Sequence, residues 1–227
     1  VATATPGAYA PAKMEKYSIA AELGAARMIP VDLKPYANRG FADDRDGGVG
    51  GWTGEGDMND MRSMKPGAHT WLGVPLTIID PKANGGKSVI ALRGRTLPKE
   101  PLSSPAIPIG RKARGFFFLQ AANYAQVVNA KAGSYQIEYE DGKVVEIPIV
   151  IGVNAYDWWF DHQETEDSRN VALKLDNPPD EKQPYRFLRL WYWENTRQDV
   201  PVKAITMTTQ PDSPASLLLL SLDIAIW

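Results

Sequence analysis

The sequence predicts an all-β protein, an antiparallel sandwich of jelly-roll type with little helix. Three observations predict it. Apolar residues recur in short runs, several with a period of two, the spacing that puts alternate side chains on one face of a strand. Turn-forming residues separate these runs: 18 prolines and 19 glycines are distributed through 227 residues, which predicts long ordered loops and one domain over 28–227. Helix-period segments are few; MEKYSIAAELGAARM (14–28) has one, and NDMRSM (59–64) is long enough for one turn. Many short strands with little helix lead to a sandwich or jelly roll.

The elements follow in order. The first residues, VATATPGAYAPAK, are small, polar and proline-containing. They lack the charged and apolar regions of a signal peptide, so 1–27 reads as a flexible leader or N-terminal extension. Ile29, Val31 and Leu33 alternate in RMIPVDLKPYAN, and TWLGVPLTIID (70–80) is an apolar run ending at a turn. KSVIALRG (87–94) follows the turn at Asn84-Gly85-Gly86. ARGFFFLQAANYA (113–125) is nearly continuous in apolar residues, as a strand covered on both faces requires. In GSYQIEYEDGKVVEIPIVIG (133–152), Tyr135, Ile137 and Tyr139 alternate with polar residues, and Val145, Ile147, Ile149 and Ile151 line one face beyond Asp141-Gly142. Asp-Gly between alternating runs predicts a tight hairpin, because glycine accepts a positive φ. YRFLRLWYW (185–193), VKAITMTT (202–209) and SLLLLSLDIAI (216–226) supply further strands.

Composition narrows the function classes. A net charge of −2 without a long basic run argues against nucleic acid or an anionic membrane as partner. The absence of cysteine removes disulfides, zinc–thiolate sites and thiol catalysis. The longest apolar run, LLLLSLDI (217–224), is far short of the roughly 20 residues that span a bilayer.

The order of motifs, however, is specific. FADDRDGGVGGWTGEGDMNDMR, GVPLTIIDPKANGGKSVIALRG, IPIGRKARGFFFLQAA, YQIEYEDGKVVEIPIVIGVNAYDWW and LWYWENTRQDVPVKAITMTT follow one another over roughly residues 28 to 226. This order resembles the galactose-binding-domain-like β-sandwich modules attached to large bacterial glycoside hydrolases. In that pattern GGWT continues with Asp-Gln-Gly, from which Gly54 and Glu55 depart, and WENP stands here as Trp193-Glu194-Asn195-Thr196. The resemblance implies a jelly-roll sandwich, a poly- or oligosaccharide partner, a linked catalytic domain and an extracellular or periplasmic location. It also implies a structural Ca²⁺ near a loop end. It assigns no catalytic residue.

Two stretches are candidates for function. In the first, Asp43, Asp44 and Asp46 precede Gly47 and Gly48, the short-spaced carboxylates on a turning backbone that calcium favours. The alternative is a solvated loop whose aspartates close turns. Trp52, after two glycines, reads chiefly as an apolar plug for the end of the sandwich, and Asn59 and Asp60 as caps of the turn after it. The second stretch is NAYDWWFDH (154–162). Tyr156, Trp158, Trp159 and His162, interleaved with Asp157 and Asp161, are candidate sugar ligands, since a pyranose offers an apolar face and a ring of hydroxyls. Trp158 and Trp159 point opposite ways on extended backbone, so at most one faces solvent. Trp191 joins them as a candidate. It shares a strand face with Phe187, Arg189 and Trp193, which is displayed if the Leu188–Leu190–Tyr192 face is core and packed if both faces are covered.

Enzymatic signatures are missing. No GxSxG, HExxH or phosphate-binding glycine loop occurs. The two histidines, His69 and His162, lie far apart in the chain. The sequence therefore predicts a non-catalytic carbohydrate-binding or accessory module. A structural domain packing on a catalytic partner without binding sugar, and a free-standing glycan-active enzyme, are the alternatives.

Overall fold

The computed structural model of the chain describes residues 27–43, 50–159, 171–176 and 185–227. The leader and the helix expected over 14–28 lie outside the described residues, apart from their last positions, where Arg27 and Met28 begin a strand. Among the described residues twelve strands run in chain order. They are β1 (Arg27–Pro30), β2 (Gly67–Trp71), β3 (Val74–Ile78), β4 (Ile90–Ala91), β5 (Ile107–Arg111), β6 (Gly115–Asn123), β7 (Lys131–Tyr139), β8 (Val144–Val150), β9 (Val171–Asp176), β10 (Tyr185–Glu194), β11 (Val202–Thr209) and β12 (Ser216–Ile226).

They form an antiparallel sandwich. One sheet has the order β1-β12-β6-β10-β9, with β4 pairing beside β12; the second has the order β5-β11-β7-β8. Between them lies a core of Phe116, Phe118, Leu217, Leu219, Leu222 and Ile224 from the first sheet against Tyr135, Ile137, Tyr139, Ile149, Ile205 and Met207 from the second. The opposite face of the first sheet is covered too. Phe117, Leu119, Leu188, Leu190, Leu218 and Leu220 pack there under the β2–β3 hairpin, together with Trp52, Met61 and Trp158. This third layer explains why GFFFLQAAN and SLLLLSLDIAI are apolar without alternation: β6 is buried at every position.

Three expectations need correction. The run 70–80 is two strands, because Leu72 and Gly73 both take positive φ (53° and 76°) and turn the chain back on itself. The segment 59–64 makes hydrogen-bonded turns instead of a helix. KSVIALRG contributes only the two residues of β4, since most of its backbone bonds go to Asn38, Arg39, Pro101 and Leu217. Both faces of β10 are covered. Trp191 stacks on Phe118 at 5.4 Å and Trp193 on Phe116 at 6.2 Å, half-buried at the margin of the inner core.

Candidate functional site

Asp43 organises the glycine loop. Its Oδ2 accepts backbone N–H bonds from Thr53 (3.1 Å), Gly54 (2.9 Å) and Glu55 (3.3 Å). Arg39, itself buried, donates Nε to the carbonyls of Gly51 and Trp52 and lies 3.9 Å from Asp43 Oδ1. Gly51 has to be glycine: a Cβ there would sit 2.0 Å from Asp43 Oδ1. Asp43 Oδ2 is thus committed to backbone N–H groups, while its buried Oδ1, 3.9 Å from the Arg39 guanidinium, accepts no hydrogen bond. Asp44 and Asp46 lie outside the described residues. Asp60 caps the far end of the loop, accepting from Asp43 N and Arg62 N. Burial pushes the Asp43 carboxyl up, against the pull of the three backbone bonds and Arg39.

This frame sets Trp52 in the core. Fully buried, it lies 6.1 Å from Phe41 and meets Trp158 edge-on at 5.5 Å. Here the two sequence stretches converge. Residues 156–158 run parallel to the end of β6, Ala122 N donating to Tyr156 O and Trp158 N to Ala122 O. Alternation then drives Trp158 inward, where its Nε1 donates to Asn123 Oδ1 at 3.2 Å. Trp158 is wholly buried and Tyr156 nearly so, its ring covered by Arg189 with Cζ 4.2 Å from the centroid. Neither offers a stacking face to a sugar, which corrects their assignment as ligands: the inner side of an extended segment is core. Trp159 is half-buried, set on Trp158 at 5.3 Å. Trp191 keeps only a margin, since its ring lies on Phe118. His162 and Asp161 lie outside the described residues.

Beside Trp159 the loops build a polar corner. Glu55 Oε2 accepts from Thr53 Oγ1 and Asn123 Nδ2, both at 2.9 Å, and Asn123 Nδ2 also reaches Thr96 Oγ1 at 2.8 Å. Asp157 accepts Trp159 N on Oδ1 and Ala125 N on Oδ2, each at 3.0 Å. Burial pushes the Glu55 carboxyl up; the bonds from Thr53 and Asn123 lower it, and the charges of Asp157 and Asp43 raise it further. Tyr124 follows at φ 58°, the left-handed region that a tyrosine seldom adopts, with Arg95 Cζ 4.9 Å from its ring centroid.

A groove of about 480 Å³ opens directly beyond, between the β6–β7 and β11–β12 loops, with Tyr124, Ala125, Val127, Ala130, Ile151 and Pro214 among its walls. Its size lies within the ~300–1,000 Å³ typical of small-molecule sites. The corner and groove together present an aromatic edge, half-buried acceptors, one exposed guanidinium and an apolar hollow. Among the described residues no three histidine, aspartate or glutamate side chains converge as a metal site would need. Glu55, Arg95, Thr96, Asn123 and Tyr124 escape sequence reasoning as a set. The one signal was the polar Asn-Tyr pair that breaks the apolar run at 123–124, together with the departure at Glu55.

No family model and no curated protein matches the chain.

Proposed function

We propose that the protein is a non-catalytic carbohydrate-binding or accessory module of a secreted polysaccharide-degrading enzyme, a jelly-roll sandwich of the galactose-binding-like kind acting outside the cytoplasm. The observation that supports this reading is the convergence of 52–55 and 156–159, distant in sequence, at one end of the sandwich. Trp159 and Tyr124 there offer aromatic surface, and Glu55 and Asp157 offer acceptors for hydroxyls. Hydroxyl-to-carboxylate bonds beside an aromatic edge are how a protein holds a sugar without transforming it. The site is shallow, so single-site affinity is weak, and the gain lies in raising substrate concentration around a linked catalyst.

Affinity electrophoresis and a glycan array, read alongside tryptophan fluorescence, test it. Retardation by a polysaccharide, lost in Glu55→Gln and Trp159→Ala, is the expected result. Failure of every glycan to retard the protein would discard the reading. A second reading, a structural domain docked on a catalytic neighbour, draws on Trp227, which is 77% exposed under the Arg114 guanidinium at 4.8 Å. Trp227 follows β12 at the end remote from Asn123, so Trp227→Ala leaves glycan binding intact and weakens only a protein contact.

A further inference from the structure

The groove beside Tyr124 differs chemically from the corner it adjoins. Its hollow exists because the side chains are small: Ala125, Ala130, Ala132 and Ala215 line it. Backbone groups of these alanines and of Pro214 are already engaged within the protein. Ala125 N is held by Asp157, Ala130 N by Val127 O, Ala130 O by Ile151 N, Ala132 O by Gln210 N, Ala215 N by Ser213 Oγ and Pro214 O by Arg95 N. Lys131, one of its few charged side chains, is paired with Glu146. A hydroxyl placed over the alanines would leave water and find none of these groups open, which costs free energy, whereas Gln126, Gln210, Asp212 and Ser213 supply polar side chains elsewhere on the walls. A methyl group placed over the alanines would lose nothing.

Corner and groove are continuous through Tyr124 and Ala125, since Ala125 lines the groove while its N–H binds the Asp157 of the corner. One ligand can therefore span both. Building on the carbohydrate reading, we infer that the groove selects methyl-bearing sugars, with hydroxyls on Glu55 and Asp157 and the methyl of a 6-deoxy carbon or an O-acetyl group among the alanines. The small residues are the specificity element. The acceptors of the corner hold any sugar; the hollow decides which.

Two matched pairs test this on the intact chain. The first is L-fucose against L-galactose, which differ only by the 6-hydroxyl. The second is an O-acetylated polysaccharide before and after mild alkaline deacetylation. Affinity is read by titration and by electrophoretic retardation. One pair at least favours its methyl-bearing member by about four-fold or more, the burial of one methyl group; which pair does so identifies the source of the methyl. Ala130→Phe, at a half-buried lining position, fills the hollow and abolishes the preference. Val127→Asp, at a 61% exposed position on the lip that folding does not depend on, reduces it. Glu55→Gln weakens both members of a pair alike. Equal affinity within both pairs, or a preference that survives Ala130→Phe, overturns the inference while leaving the carbohydrate reading in place. Absence of binding to all four, while another glycan of the array binds, overturns the inference alone; failure of every glycan overturns both.

Discussion

Asp43 shows how much of a loop's order can rest on one side chain. Its carboxylate gathers three backbone N–H groups and faces Arg39. Asp43→Ala leaves those three backbone donors without their acceptor, while Arg39 keeps Glu100 and the carbonyls of Gly51 and Trp52, so a loss of about 1–3 kcal/mol is expected in urea unfolding. Asp43→Asn, which keeps the shape, costs less. Asp223 is a different case. It is fully buried on β12 and accepts from Ser221 Oγ, while its Oδ1 has no partner. Burial pushes its carboxyl up to about 7 from 3.8, against the pull of Ser221. A raised pKa means that the fold prefers the protonated acid. Its contribution is fully present below about pH 4 and is lost as pH rises through 7. Asp223→Asn should therefore match the parent near pH 4 and exceed it at pH 8 by up to about 4 kcal/mol, from the ~1.4 kcal/mol that each pKa unit represents. A constant gap between the two proteins across urea titrations at pH 4, 6 and 8 would refute this. Tyr124 carries strain that a binding site can use. Tyr124→Asn suits φ 58° and should hold stability within about 1 kcal/mol of the parent while losing glycan retardation.

Strands β6 and β12 are the elements on which the rest depends, because the sheet they centre divides two cores. β12 serves both by a bulge: Leu219 opposes Gln120 and Ser221 opposes Leu119, so Leu220 is the inserted residue. Leu218 and Leu220 face the outer core, and Leu222 and Ile224 the inner one. Deleting Leu220 removes the bulge without moving 221–226 off their faces. The expected effect is the burial of one leucine, about 2–5 kcal/mol, with the β12–β6 pairing kept. Hydrogen exchange of β6 amides checks the second half; broad loss of protection there would show that the bulge sets the register.

In the whole molecule, three layers share one central sheet. Neither core can open without exposing an apolar face of that sheet, so unfolding should be a single cooperative transition. Four of the seven tryptophans, Trp52, Trp71, Trp158 and Trp159, lie in or against the outer core, so tryptophan fluorescence is weighted toward it, and far-UV circular dichroism reports on all strands. Their urea curves should coincide, and Leu218→Ala should move both together. Separate midpoints would mean that the β2–β3 layer opens alone.

Strand character was legible in the chain because period-two alternation and unbroken apolar runs are local consequences of burial. The β7–β8 hairpin, the central position of β6 and the plug at Trp52 all follow from such patterns. Trp158 and Trp159 do not point apart as extended backbone would send them: the chain bends there, and Trp159 lies on Trp158 at 5.3 Å against the same outer cluster. The site was legible only in fragments. Glu55, Thr96, Asn123 and Asp157 are each ordinary polar residues in their own stretches. They become a site because three loops and the end of β6 meet at one end of the sandwich. Burial of Trp158 and Tyr156 depends on the same meeting, since the layer that covers them comes from Phe41, Trp52, Met61 and Met64 and from β10. Sequence patterns carry the direction of a side chain relative to its own strand; what lies in that direction is set by pairings between distant segments.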